Sequence, residues 1–226
     1  MNVQAIGYPT IVYLHLLLFV LWLGADVGVF ILGQHFRKRQ VYSLDQRLAL
    51  LKLLVIVDLV PRAAWALMVP MSLTVLAAGA WWDVPAPLLV ASWAAAALWL
   101  WLILDTHKHE GTERAARNRR NETFLKLLLT AFYLWLGVQS LLTGAPLAPL
   151  WLALKALAFA LIFLAAIMID AMFRPVGGQL GRLIAEGSSD ATELPLRRTM
   201  DRTRIWVWVV YALLLVTSYL GSVKPF

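Results

Sequence analysis

Cysteine is absent from all 226 residues, which excludes disulfides, thiolate metal ligands, iron–sulfur clusters and haem attached through a C-x-x-C-H box. Charge is scarce too. Only 15% of residues are charged and 61% are hydrophobic, against about 25% and 45–50% in soluble domains. Water is therefore not the main solvent of this chain, and a mean hydropathy of +0.73 agrees. Acidic residues are the scarcest class, 13 against 20 Lys and Arg, which leaves a formal charge of +7. Such a surplus can signal nucleic acid, but here the cations gather in short loops between apolar runs, as positive-inside ordering requires. No nucleic-acid partner is expected. The N-terminus has no basic run and no small-residue cleavage motif, so residues 8–33 are expected to remain as a helix rather than leave as a signal peptide.

Long apolar runs are what the chain does have. A helix needs ~20 apolar residues to cross ~30 Å of hydrocarbon. Six segments meet this, at about 8–33, 53–82, 88–105, 124–144, 149–173 and 205–223. The expected fold is all-α, a polytopic membrane helix bundle of about six transmembrane helices forming one integral membrane domain over 1–226. The second segment is too long for a perpendicular span, and Pro61 and Pro70 predict a tilt or kink in it.

Loop charge alternates. Arg37, Lys38, Arg39 and Arg47 follow the first run, Lys108, Arg114, Arg117, Arg119 and Arg120 the third, and Arg174, Arg182, Arg197, Arg198, Arg202 and Arg204 the fifth, while Asp83–Pro87 and Ala145–Ala148 hold neither Lys nor Arg. Placing the basic loops in the cytoplasm puts both termini outside and Trp81, Trp82 and Trp151 at the outer interface. The expected location is a bacterial inner membrane, spanned several times. The stretch 174–204, rich in Gly, Ser and Arg, reads as part amphipathic helix and part loop against anionic headgroups.

An ionisable side chain at the centre of a bilayer costs at least ~2.5–3.5 kcal/mol, so each one calls for a partner or a task. His15 lies about seven residues into the first helix and Lys155 about six into the fifth, both counted from outside, which gives them a common depth of ~10 Å. A cofactor pocket and two unrelated structural groups both fit that pairing. Trp22 and Asp26 share a stripe with His15, since each falls within ~20° of it around a helix turning ~100° per residue. Gly24, Gly28 and Gly33 on the same helix would admit another helix, a flat ring or a second copy of the chain. Asp58 and Arg62 have the i,i+4 spacing of an internal ion pair, with Arg62 as an alternative clamp for a ligand carboxylate. Asp170 is expected to pair with Arg174 at the same spacing. His107 and His109 stand near Asp105 and Glu110, but i,i+2 side chains diverge and nearby cations oppose a metal, so a solvated loop is the better reading. Met68 with Met71, and Met168 with Met172, read as packing.

Some of these residues also carry a family pattern. Leu14-His15 followed by Leu21-Trp22-Leu23-Gly24 resembles the first helix of the HemJ-type membrane protoporphyrinogen IX oxidases and the related CopD-type copper-resistance membrane proteins. Trp151-Leu152-Ala153-Leu154-Lys155 is similar to the HemJ-type segment in which Trp and Lys open a later helix, and Val223-Lys224-Pro225-Phe226 to that family's C-terminus. The chain departs from the pattern in two places. Its third and fourth helices exceed the four-helix core, and Arg204-Ile205-Trp206-Val207-Trp208 stands where the family carries Asn-Glu-x-Pro.

The resemblance implies a non-covalent haem b, with His15 as a ligand of the haem iron, Lys155 as a second ligand or propionate partner, and Arg62 and Trp22 lining the pocket. It implies electron transfer or oxidation of a porphyrinogen-like or quinol-like substrate, a HemJ-like oxidoreductase activity. Lipid, a redox partner protein or quinone, and a second copy in a homodimer are the corresponding partners. Two other functions fit the residues: a transporter or copper-handling permease with His15, Asp26 and Met68 along its path, and a membrane anchor subunit of a redox complex.

Overall fold

The computed structural model describes residues 3–226, and every regular element among them is helical. In chain order these are α1 (Val3–Phe36), α2 (Leu44–Val57), α3 (Leu59–Ala78), α4 (Ala86–Lys108), α5 (Glu113–Thr143), α6 (Leu150–Phe173), α7 (Val176–Glu186) and α8 (Asp190–Val223). Six stretches are long and apolar enough to cross a membrane, with α2 and α3 together making one of them. The break between those two falls at Asp58, three residues before Pro61, the first of the two prolines expected to tilt or kink this stretch, while Pro70 lies inside α3. Pro61 accounts for it, because its ring crowds the carbonyl four residues back, at Val57, where α2 ends.

Proline and glycine also set the other boundaries. Pro85 and Pro149 precede α4 and α6 in extended conformation, where a missing N–H and a fixed φ suit a helix start. Gly144 closes α5 at φ +72°, a backbone region that disfavours side chains. The helices overrun the apolar runs mainly at their charged ends. Residues 113–123 and 190–204 extend α5 and α8 beyond the expected starts at 124 and 205. Ser189 fixes the early start of α8. Its hydroxyl accepts from the Thr192 N–H, and the Thr192 hydroxyl accepts from the Ser189 N–H, the reciprocal arrangement of a capping box. The expected amphipathic segment in 174–204 is α7.

The chain divides into two compact units. The first comprises Met1–Leu32 and Lys52–Leu125, the second Gly33–Leu51 and Lys126–Phe226. In the first, α3 packs along α4, and α1 turns Trp22 inward while Tyr13, Leu16, Val20 and Leu21 stay exposed, as a helix with one lipid-facing side would. Asp105, buried near the end of α4, fastens the turn to α5. It accepts two hydrogen bonds from Arg114 at 2.7 and 2.6 Å and one from Asn118 at 2.7 Å.

In the second unit α6 lies along α8, and α7 packs on α8. Gly137 of α5 meets α6 so closely that an added Cβ would stand 2.6 Å from Leu157 Cγ and 3.0 Å from the Ala153 carbonyl oxygen. Tyr133, Phe159 and Phe163 fill the same seam, with Tyr133 edge-on to Phe159 at 4.7 Å. Phe36, Leu183 and Leu196 form a small apolar core beside α7.

Candidate functional site

Three tryptophans of the first unit form a column. Trp22 of α1 stacks on Trp65 of α3 with ring centroids 5.5 Å apart, and Trp65 meets Trp99 of α4 edge-on at 4.8 Å. All three are buried. Such rings bring large apolar area and an N–H that needs an acceptor. At the end of the column the Trp99 indole N–H donates to Glu122 Oε1 at 3.2 Å. Glu122, on α5, is itself buried, and both of its oxygens accept from Arg62 Nη2, at 3.1 and 3.0 Å. Asp58 lies 3.7 Å from Arg62 at the i,i+4 spacing. The guanidinium is thus held between two carboxylates of this chain, which together exceed its charge by one. The internal pairing expected for Arg62 is present, with a second carboxylate added.

His15 sits half-buried on α1, on the stripe that carries buried Trp22 and half-buried Asp26. That stripe is the protein-facing side of the helix. The glycines do not share it uniformly: Gly24 is nine residues from His15, about half a turn round the helix. A Cβ there would meet nothing within 4 Å, whereas one at Gly28 would touch Val57 at 3.9 Å. The open side at Gly24 is therefore not a wall of the His15 stripe. Lys155 belongs to the second unit. Its Nζ lies against Gly221 of α8, where a methyl group would collide with it, and Lys224 Nζ stands over the Trp151 ring at 5.5 Å.

Several charged groups escaped the reading of the apolar runs. Glu122 and Lys126 straddle the expected start of the fourth span, and both are buried. Lys126 donates to Asp170 Oδ2 at 2.8 Å, so the acceptor at Asp170 is taken by a lysine of α5 and not by Arg174. A helix turn separates Asp170 from Arg174, but Arg174 already lies at the exposed end of α6, where water competes for it. Arg47 and Glu193 form a buried two-pronged pair at 2.6 and 2.9 Å, and Arg47 Nε also donates to the Phe36 carbonyl at 2.6 Å. The i,i+4 spacing of Glu122 and Lys126 was the one legible signal for any of these, since the other partners are far apart in sequence.

The remaining candidates are ordinary. His107 is exposed on α4, and His109 Nδ1 lies 2.9 Å from the Asp105 carbonyl oxygen. Met68 and Met71 are buried in α3 as packing groups. Among the described residues no three or more His, Asp or Glu converge as a metal site would need. No family model, curated protein or solved structure matches this chain.

Proposed function

We propose that the chain is a multi-pass membrane redox protein, with both termini outside, that holds a non-covalent haem b in its first unit through His15. The observation that carries this reading is the interior stripe of α1, on which His15 shares a face with Trp22 and hence with the Trp22–Trp65–Trp99 column. The donor set suits haem better than a bare ion. A porphyrin brings four nitrogens of its own and asks the protein for one or two axial ligands, whereas a bare copper or zinc site needs several side chains at once. When bound, haem would supply one-electron chemistry, and the protein's part would be ligation, orientation and exclusion of water.

His15 would ligate through an imidazole nitrogen, and the tryptophans would present apolar walls. Arg62 serves this reading indirectly, since its fork is already engaged by Glu122 and Asp58 and fixes the foot of the Trp column. The substrate class on this reading is a porphyrinogen-like or quinol-like donor, or a redox partner protein, in a bacterial inner membrane.

The test is an absorption spectrum of detergent-purified protein from haem-supplied cells, oxidised and then reduced with dithionite. A Soret band with sharp reduced α and β bands is expected. His15→Ala should lose that band while eluting as the same folded species in size-exclusion chromatography. Full haem retention by His15→Ala, or a featureless wild-type spectrum at good yield, overturns the assignment.

A further inference from the structure

A cavity of about 430 Å³ in the second unit is walled by six cations, Arg37, Lys38, Arg39, Arg47, Arg197 and Arg204, and by one carboxylate, Glu193. Two further acids, outside the lining, partner these cations: Arg37 and Arg204 contact Asp201, and Arg39 lies 2.5 Å from Asp190. Arg47 is taken by Glu193. Six cations thus have three acids between them. Lys38 and Arg197 are exposed and have no acidic partner among the described residues. Arg37 Nε is buried and donates to nothing among them, although the rest of that guanidinium is engaged by Gln34 and Asp201. A wall with excess cations suits an anion with acceptor oxygens.

The depth of the cavity is fixed by two independent breaks in the sequence. Arg37 follows the last apolar residue of α1, Phe36, and Arg204 precedes Ile205, where the apolar part of α8 begins. Both breaks line the same cavity, so it lies where hydrocarbon gives way to headgroups, on the side that the basic loops mark as cytoplasmic. Phe36, Leu196 and Met200 give it an apolar side as well, which a wholly hydrated anion would not need.

We propose that this cavity binds a phosphate-bearing anion at the cytoplasmic membrane surface, with Lys38 and Arg197 as its open charge partners. The same recognition chemistry would serve a phospholipid headgroup or a free phosphate. The site is a specific pocket in the fold, distinct from the general attraction of a basic loop to an anionic leaflet.

The experiment uses the full chain in detergent micelles, titrated with dioctanoyl phosphatidic acid, dioctanoyl phosphatidylcholine or inorganic phosphate, and read by thermal shift and native mass spectrometry. Phosphatidic acid should raise the melting midpoint and stay bound, and phosphatidylcholine should not. Lys38→Gln with Arg197→Gln should weaken binding at least tenfold. Arg117→Gln with Arg120→Gln, which removes the same charge from the basic cluster on α5, should leave it unchanged. Binding of inorganic phosphate as tight as that of phosphatidic acid supports the site and identifies free phosphate as its source, while binding of phosphatidic acid alone identifies a lipid. No binding of either, or equal losses in the two double variants, overturns the proposal.

Discussion

At the scale of single residues, the charges that the chain buries are paired with one another or with partners nearer the surface. Arg47 is the clearest case, 1% exposed and bound by both oxygens of Glu193 and by the Phe36 carbonyl. Ser188 adds a hydrogen bond to Glu193 at 2.6 Å. Removing one member of a buried pair strands the other, a loss of about 3–5 kcal/mol, whereas replacing both by apolar groups of similar volume is often neutral. Arg47→Met should therefore lower the thermal midpoint in detergent sharply, and Arg47→Met combined with Glu193→Leu should recover much of it. A double variant no better than the single one would mean that the pair does more than satisfy itself. The Arg62–Glu122 pair follows the same logic with a weaker hand, since Arg62 is about a third exposed and keeps Asp58 when Glu122 is lost.

At the scale of elements, helix starts were harder to read than helix existence. Hydropathy locates the stretch that must avoid water, and a charged helical extension such as Glu113–Thr123 carries no such signal. The capping box at Ser189 was present in the residues Ser189, Asp190, Ala191 and Thr192, but Thr in place of the usual Glu or Gln blurs that motif. Close packing between α5 and α6 depends on Gly137. Gly137→Ala would press a methyl group against the Ala153 carbonyl, which cannot rotate away, and overpacking of this kind costs about 1–3 kcal/mol. Gly24→Ala, whose Cβ would meet nothing within 4 Å, is the matched control. Fluorescence-detected melting of the two variants should show a lowered midpoint for Gly137→Ala and none for Gly24→Ala, and equal midpoints would remove the packing argument.

At the scale of the whole molecule, the absence of cysteine turns from an exclusion into a tool. Any single introduced thiol is the only one in the chain, so its labelling reports one position. With the basic loops in the cytoplasm, Asp83→Cys and Ala148→Cys should react with a membrane-impermeant maleimide on intact spheroplasts, and Arg117→Cys only after permeabilisation. The opposite pattern would invert the topology and move the basic cavity to the outer face. The proposed lipid or phosphate site would then face a different compartment, while the His15 reading would survive with its depth counted from the other side.

Composition and period alone determined that this is an all-helical protein with six membrane-crossing stretches, because the requirement for ~20 apolar residues acts on each segment independently of every other. They also determined that His15, Trp22 and Asp26 share one face, since that follows from helix geometry within a single segment. Only the tertiary structure decided the partners. Glu122 meets Arg62 across 60 positions, Lys126 meets Asp170 across 44, and Arg47 meets Glu193 across 146. Such pairs are fixed by which helix faces pack together, a property of no single segment. The same holds for the Trp column, which adds Trp22 of α1 to α3 and α4, and for the basic cavity, which joins the end of α1 to α8.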